Sequence, residues 1–185
     1  TVHNIDALTF DFCHLHGGHS LRIVGNLPYN ISTPILFHLL AQHRCIRDMH
    51  FMLQKEVVTR MAAPPGGGDY GRLSVMLQYR CRITPLFTIG PGAFNPPPRV
   101  HSAFVRLEPY EHPPVAVLDE TVFGNVVRQA FAQRRKILRN ALREVLDAGE
   151  ITAAGIDPAA RAEVLSVEDF AALANYLSDR QDRAR

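Results

Sequence analysis

The sequence is poor in cysteine, in long apolar runs and in net charge, and each shortage excludes a class of protein. Its three cysteines, Cys13, Cys45 and Cys81, stand at wide and irregular spacing, which fits neither a disulfide framework nor a C-x-x-C metal pair. They are predicted to be reduced, half-buried thiols. No apolar run approaches the roughly 20 residues of a membrane span, and the first residues carry no basic signal region. We therefore predict a cytoplasmic protein with no membrane partner.

The net charge is only +2, but positive charge is concentrated in one segment. That segment contains no acid and the following basic residues: Arg128, Arg134, Arg135, Lys136, Arg139 and Arg143. If residues 134–148 form a helix, Arg135, Arg139 and Arg143 share one face and Lys136 lies beside it. Such a face is either solvated or in contact with RNA phosphates. The absence of acids favours phosphate contact.

Residues 1–112 alternate strand-like and helix-like segments, which predicts an α/β sheet domain. Strands are expected at 21–26, 49–54, 72–83 and 102–109, and helices at 32–42 and 55–62. The stretch 84–101 is predicted as a long loop, and a loop of this length inside a compact domain usually has a function. From residue 113 to 185 only helices are expected, at 120–133, 134–148, 158–165 and 167–179. These residues are therefore predicted to form a small all-helical domain.

The clearest chemistry belongs to Asn26, Leu27, Pro28 and Tyr29, which directly follow the first predicted strand. Open α/β sheets bind ligands at the carboxyl ends of their strands. The Asn26 side-chain oxygen and the Leu27 carbonyl can accept the two N–H hydrogens of an exocyclic amine, because Pro28 keeps Leu27 extended. Exocyclic amines of this kind occur on nucleobases such as adenine. Tyr29 offers a flat face on which such a base can stack, and stacking of a base on an aromatic ring contributes about 1–3 kcal/mol. The alternative is a tight turn in which Asn26 caps and Tyr29 packs.

A proline-rich stretch, residues 94–102, lies in the predicted loop. Its three consecutive prolines form a stiff segment that can hold Phe94 as a second wall for the base. Alone the stretch is equally a loop brace, but together with residues 26–29 it favours a base-binding site. His14, His16 and His19 have no cysteine or carboxylate at ligand spacing, so no metal site is predicted.

Several motifs follow one another in a fixed order: NLPYNISTPILFHLL, MHFMLQKEVVTRM, YGRLSV, FNPPPRVHSAFVRL and FAQRRKILRNAL. Over nearly the whole chain they resemble the KsgA (RsmA) family of ribosomal RNA adenine dimethyltransferases. The resemblance implies a Rossmann-like class I methyltransferase sheet in residues 1–112 and a helical RNA-docking domain in residues 113–185. It also implies dimethylation of two adjacent adenosines in small-subunit ribosomal RNA, with S-adenosylmethionine as donor, and a link to assembly of the pre-ribosomal small subunit.

The same resemblance assigns roles to individual residues. Residues 26–29 would be the catalytic motif, Tyr29 and Phe94 would stack on the target base, and Asp6 and Asn26 would contact the cofactor. The basic residues expected to dock RNA are Arg134, Arg135, Lys136, Arg139 and Arg143.

The sequence departs from this family at its start. The family opens with a Gly-rich loop after its first strand and an acidic residue at the end of its second, and neither is present here. We therefore expect an incomplete sheet that lacks roughly 50 upstream residues, with a strand near residues 2–5 that has no neighbour. We also expect that the chain alone neither binds S-adenosylmethionine usefully nor methylates RNA.

Two other functions stay open at this point. One is a large-subunit ribosomal RNA dimethyltransferase that confers antibiotic resistance, against which the segment FAQRRKILRNAL argues. The other is a non-catalytic ribosome-assembly or RNA-binding module, which need not bind S-adenosylmethionine.

Overall fold

The computed structural model describes residues 1–133 and 135–183, which group into two compact units. The first comprises Thr1–Ala62 and Arg80–Glu111, and the second comprises Ala63–Tyr79 and His112–Arg185. The change of unit after Glu111 lies beside the boundary that composition places after residue 112. The segment Ala63–Tyr79 belongs to the second unit, although the sequence suggests the sheet domain for it.

The first unit is built on a four-stranded sheet in the order β1-β2-β4-β3. Strand β1 (Leu21–Asn26) is parallel to β2 (Ile46–Gln54). Strand β4 (Ser102–Pro109) is antiparallel both to β2 and to β3 (Cys81–Ile89). Helix α1 (Ser32–Ala41) connects β1 with β2, and α2 (Lys55–Ala62) follows β2 directly. The predicted α/β class is confirmed.

Apolar spacing explains how this sheet and its helices are held. Strand β2 buries Met49, Phe51 and Leu53, which alternate along the strand and therefore point to one face. Helix α1 buries Ile35, Leu36, Leu39 and Leu40, as their helical spacing predicts. Ser32, however, is not the helix cap that its position suggests, because it is the first helical residue and its hydroxyl donates to the Tyr29 carbonyl.

The predicted strand at 72–83 is wrong, because residues Arg72–Arg80 form helix α3 and β3 begins only at Cys81. Apolar side chains at every second position, 73, 75, 77 and 79, imitate a strand, although Met76 between them is apolar as well. Val75 and Tyr79 are nevertheless one helical turn apart, and both belong to the core of the second unit.

The predicted loop at 84–101 is also too long. Strand β3 continues to Ile89 and pairs with β4 along its length, so the loop spans only residues 90–101. Pro85 is tolerated within β3 because this strand lies at the edge of the sheet, where a missing N–H costs no ladder hydrogen bond.

The second unit has the helical content expected for its C-terminal part. Its helices after α3 are α4 (Glu120–Ala132), α5 (Leu138–Ala141), α6 (Ala148–Ala153) and α7 (Val167–Arg183). Helix α7 begins at the predicted residue, and a reciprocal cap fixes its start: the Ser166 N–H donates to the Asp169 carboxylate and the Asp169 N–H to the Ser166 hydroxyl. Its buried residues include Phe170, Leu173, Ala174 and Leu177, which recur at helical spacing.

The predicted helices at 134–148 and 158–165 are wrong. Ile137 has an extended backbone and forms a β-bridge with Arg161, and the Leu138 N–H donates to the Ala160 carbonyl at 2.8 Å. Because these two segments pair with each other, the described residues 135–147 and 158–165 are helical only in the four residues of α5 and in a short 3-10 turn at Ala162–Val164.

The cysteines differ from expectation as well. Cys13 and Cys45 form a disulfide, with their Cα atoms 5.4 Å apart. The spacing of the cysteines along the chain does not reveal this bond, because it forms only when residues 12 and 13 fold back onto the end of α1. There the Phe12 N–H donates to the Gln42 side-chain oxygen at 2.6 Å. Cys81 is a buried free thiol, and burial raises its pKa to about 12.

Within residues 1–133 and 135–183, no helix has both the length and the apolar composition needed to cross a membrane.

Candidate functional site

Residues 26–29 lie where β1 ends and the chain turns towards α1. Asn26 is the last residue of β1 and pairs with Met52 of β2, and the Leu27 N–H also donates to the Met52 carbonyl, at 3.3 Å. The chain then leaves the sheet, and the Ile31 N–H donates to the Pro28 carbonyl at 3.2 Å. The strand and the turn thereby fix the backbone on both sides of the motif at the carboxyl end of a parallel strand.

Two oxygen acceptors are available in this motif. Asn26 is exposed. In the described part of the chain, neither its side-chain oxygen nor the Leu27 carbonyl oxygen has a hydrogen-bond donor. The Leu27 N–H is already engaged by β2, so this residue presents only its carbonyl. Two neighbouring acceptors without donors suit a ligand that carries an –NH₂ group.

Tyr29 is held at both of its ends. Its hydroxyl lies 2.9 Å from the Ser102 hydroxyl, and its carbonyl accepts from the Ser32 hydroxyl at 3.1 Å. Ser102 is fully buried, whereas 37% of Tyr29 is exposed. The Tyr29 ring is therefore anchored and still has surface to offer to a ligand, unlike a side chain that only packs in a turn.

A cavity of about 330 Å³ brings the motif together with the proline-rich stretch. Its lining consists of Asn26, Leu27, Pro28, Tyr29, Phe94, Pro96 and Pro98. Phe94 is half-buried, and its N–H donates to the Pro91 carbonyl at 3.2 Å. The lining contains two aromatic rings, one amide and no charged side chain, which suits a neutral, flat ligand better than a charged one.

Sequence reasoning foresaw most of this lining but missed the buried partner of Tyr29. Ser102 is the last residue of the proline-rich stretch 94–102, and its residue type alone does not indicate this role. The feature of the sequence that could have indicated this role is the position of Ser102 at the start of the predicted strand 102–109. In the structure Ser102 and the next residue, Ala103, are both buried. Pro96 and Pro98 were expected to stiffen the loop, and in the structure they also line the cavity.

Asp6 does not line this cavity. It is exposed, and its carboxylate accepts the Leu8 N–H at 2.9 Å within its own turn. The strand expected near residues 2–5 is absent, and 94% of Val2 and 59% of Ile5 are exposed. The structure therefore does not bring Asp6 and Asn26 together.

Four of the predicted basic residues, Arg135, Lys136, Arg139 and Arg143, are exposed, but they do not share one helical face. The prediction of one basic helix is therefore wrong. Arg135 and Lys136 lie in the turn after α4, Arg139 lies in α5, and Arg143 lies beyond the end of α5. Arg134 lies outside the described residues. In residues 1–133 and 135–183, no three histidine, cysteine or acidic side chains are placed to hold a metal ion.

One charged pair sits on the strands that carry the site. The Arg22 guanidinium donates to both oxygens of Asp48, at 2.7 and 2.8 Å, across the β1–β2 pairing. This hydrogen bonding holds the pKa of the Asp48 carboxyl below its usual range. The pair joins the edge strand β1 to β2 four residues before Asn26 and has a structural role.

The chain matches the family model described as ribosomal RNA adenine dimethylase over residues 1–179. It is 60% identical over 180 residues to a ribosomal RNA small subunit methyltransferase A of Pseudomonas savastanoi pv. phaseolicola, covering 97% of this chain and 67% of the relative. It is 57% identical over 176 residues to the protein of the same name from Nitrosococcus oceani, covering 95% of this chain and 67% of that protein. The chain thus spans about two thirds of the length of these relatives.

Two solved structures are similar in fold. A dimethyladenosine transferase from Plasmodium falciparum superposes with a TM-score of 0.76 at 23% identity, covering 98% of this chain and 72% of that one. A 23S rRNA methyltransferase, ErmE, superposes with a TM-score of 0.67 at 22% identity, covering 95% of this chain and 70% of that one. These likenesses support the Rossmann-like methyltransferase fold.

Proposed function

The chain belongs to the ribosomal RNA adenine dimethylase family, a family of methyltransferases, and we propose on that premise that its cavity holds the adenine of small-subunit ribosomal RNA during N6-dimethylation. The observation that carries this proposal is the uncharged cavity lined by residues 26–29 and Phe94. Adenine is flat and neutral and carries one –NH₂ group. The cavity offers two rings and two acceptors without donors, which match these features.

The residues act by aiming the target nitrogen. The Asn26 side-chain oxygen and the Leu27 carbonyl each accept one N–H of the amine, so the nitrogen is oriented towards the methyl donor. Tyr29 and Phe94 hold the ring of the base, and each stacking contact contributes about 1–3 kcal/mol. Correct orientation of two reactants can lower the activation barrier by roughly 7–11 kcal/mol. Orientation of the amine, rather than acid–base catalysis, is therefore the main contribution of these residues to the rate. The proton of the alkylated nitrogen is acidic and needs no strong base in the motif.

S-adenosylmethionine is the methyl donor that membership of this family leads us to expect, and it supplies an electrophilic sulfonium methyl. Among the described residues of the cavity, Asn26 can hold the amine that receives the methyl group, but no charged side chain matches the rest of the donor. The sulfonium and the amino-acid part of the donor are charged, whereas the cavity lining is not, and Asp6 is engaged in its own turn. We therefore assign no further cofactor contact, and Asp6 remains without support as a cofactor ligand.

The small ribosomal subunit is the favoured target over the large one. The relatives that are 57–60% identical carry the small-subunit name, whereas ErmE at 22% identity supports the fold alone. We further propose that Arg135, Lys136 and Arg139 contact phosphates of this RNA, since all three are exposed. The RNA would be bound as part of the pre-ribosomal small subunit, in the cytoplasm.

The proposal is tested with Asn26→Ala in the protein as its gene encodes it, incubated with unmethylated small-subunit particles and isotope-labelled S-adenosylmethionine. Dimethyladenosine is then quantified after nuclease digestion. We expect methylation to fall by at least about a hundredfold, or roughly 2.7 kcal/mol of barrier, while RNA affinity stays nearly unchanged.

Asn30→Ala is the matched control, because Asn30 is an exposed asparagine in the following turn that does not line the cavity. It should retain activity. Methylation by the Asn26 variant within about tenfold of the unmodified protein would show that this residue does not aim the amine.

A further inference from the structure

A second cavity, of about 310 Å³, lies within the second unit. One wall is formed by the carboxyl-terminal half of α4 and the residue that follows it; these contribute Arg128, Gln129 and Gln133. The other wall is the end of α5 and the turn after it, which contributes Asn140, Arg143 and Glu144. This cavity shares no residue with the cavity at residues 26–29.

The packing of the unit explains why this space is open. Leu138 and Leu142 are fully buried, together with Val127 of α4. These apolar contacts hold the two walls together on their inner side. On the outer side, the small residues Ala132 and Ala141 face the cavity, and no large side chain of the described residues fills it.

The side chains that line the cavity are unusually rich in groups able to form hydrogen bonds. Within the described part of the chain, Arg128 donates to the Asn125 side chain alone. Among the described residues, no acid forms an ion pair with either Arg128 or Arg143. Two guanidinium groups without acid partners are suited to the oxygens of a phosphate.

The other polar side chains of the cavity favour a ligand that carries a nucleobase as well as a phosphate. The amides of Gln129, Gln133 and Asn140 each donate and accept, as the edge of a nucleobase does. The Glu144 carboxylate repels a bare anion but accepts from the amino group of a base. A ligand with both a phosphate and a polar base satisfies this mixture, whereas inorganic phosphate does not.

We propose that this cavity binds one unpaired nucleotide of the RNA substrate, with Arg128 and Arg143 on its phosphate and the amide and carboxylate side chains on its base. The proposal rests on the proposed function for the identity of the substrate. It adds a nucleotide-reading site in the second unit that is separate from the site where the amine is aimed.

The experiment uses the isotope-labelled 185-residue chain, followed by amide chemical shifts during titration with each of the four nucleoside 5′-monophosphates and, separately, with inorganic phosphate. We expect saturable shifts at residues 128–133 and 140–144 with at least one nucleotide, and weaker binding of phosphate. Arg128→Gln and Arg143→Gln should each weaken nucleotide binding at least about tenfold.

Arg183→Gln is the matched control, because it removes one exposed positive charge from the same unit outside the cavity. It should leave the affinity unchanged. Both cavity arginines are exposed, so their substitution should not unfold the chain, and unchanged melting temperatures would verify this.

Three results would overturn the proposal: no saturable shifts at the cavity, phosphate binding as tight as nucleotide binding, or equal weakening by Arg183→Gln. Asn26→Ala should leave this binding intact. Methylation that persists in the Asn26 variant would contradict the proposed function, whereas nucleotide binding that does not depend on residues 128 and 143 would contradict this inference, so the two failures are distinguishable.

Discussion

At the scale of single residues, the hydrogen bond between Tyr29 and Ser102 decides where the aromatic wall of the cavity stands. A ring with one exposed face is free to rotate away unless something holds its far end. The 2.9 Å contact between the two hydroxyls does this, with Ser102 buried in β4. The cavity thus depends on a strand that is remote in sequence from the motif.

We predict that Ser102→Ala lowers the free energy of unfolding by about 0.5–1.5 kcal/mol, the usual net contribution of one hydrogen bond. Tyr29→Phe should cost a similar amount, and the double variant should cost less than the two added together. Urea unfolding of the four proteins measures this coupling. Strict additivity would mean that the two hydroxyls do not stabilise each other.

The Asp48 carboxyl predicts a dependence of stability on pH. Hydrogen bonding from Arg22 lowers its folded-state pKa, below the unfolded value of about 3.9. The unfolded state then binds more protons at acid pH, so this contribution is complete above the unfolded pKa and is lost as pH falls through the folded one.

Arg22→Gln should therefore reduce the free energy of unfolding at neutral pH, and its difference from the unmodified chain should shrink as pH falls below about 4. Arg47→Gln is the control, since Arg47 lies farther from Asp48, at 3.5 Å, and 70% of its side chain is exposed. Its effect should be small. A difference for Arg22→Gln that stays constant into acid pH would rule out this linkage.

At the scale of elements, a helix or strand can be predicted from local sequence where the residues that stabilise it are close together in the chain. Helix α7 was predictable because Ser166 and Asp169 satisfy each other's N–H groups only three residues apart. Strand β1 was predictable for a similar reason: a short apolar run ends at a turn signal.

Elements whose partners are distant in sequence were not predictable. Ile137 is extended because it bridges to Arg161, and nothing in the helical spacing of the arginines nearby reveals this partner. Residues 72–80 imitate the alternation of a strand, but the adjacent residues Ser74 and Val75 are both buried, and the segment forms helix α3. Of the site, the motif and Phe94 could be foreseen from residue chemistry, whereas Ser102 and the second cavity depend on tertiary contacts.

The capping pair of α7 gives a prediction at this scale. Ser166→Ala should lower the free energy of unfolding by about 0.5–2 kcal/mol, because the Asp169 N–H loses its acceptor. Ser166→Thr keeps a hydroxyl acceptor and should restore most of the loss. Thermal unfolding followed by circular dichroism distinguishes the two, and equal melting temperatures for the alanine and threonine variants would contradict the role of the hydroxyl.

At the scale of the whole molecule, the two cavities differ in the charge of the residues that line them, and they therefore suit different ligands. The first is lined by uncharged residues and fits a neutral base. The second carries two arginines, three amides and one carboxylate and fits a charged nucleotide. The first cavity therefore offers no charged partner to a zwitterionic amino acid with an adjacent sulfonium.

This charge distribution predicts how the 185-residue chain responds to S-adenosylmethionine. Micromolar affinity corresponds to about 8 kcal/mol of binding free energy, and the uncharged lining beside Asn26 supplies no ion pair towards it. The exposed Asp6 carboxylate accepts an N–H in its own turn, and Val24 of the edge strand β1 is 65% exposed. We therefore expect calorimetric titration of this chain to show no one-to-one binding in the micromolar range.

Asp6→Asn is the control for this titration, and it should leave the weak signal unchanged because Asp6 does not line the cavity. Saturable one-to-one binding at micromolar concentration would show that charged partners for the donor exist in these 185 residues. If Asp6→Asn then abolished that binding, residues 1–20 would have to rearrange in the presence of the donor so that Asp6 leaves its turn and reaches Asn26.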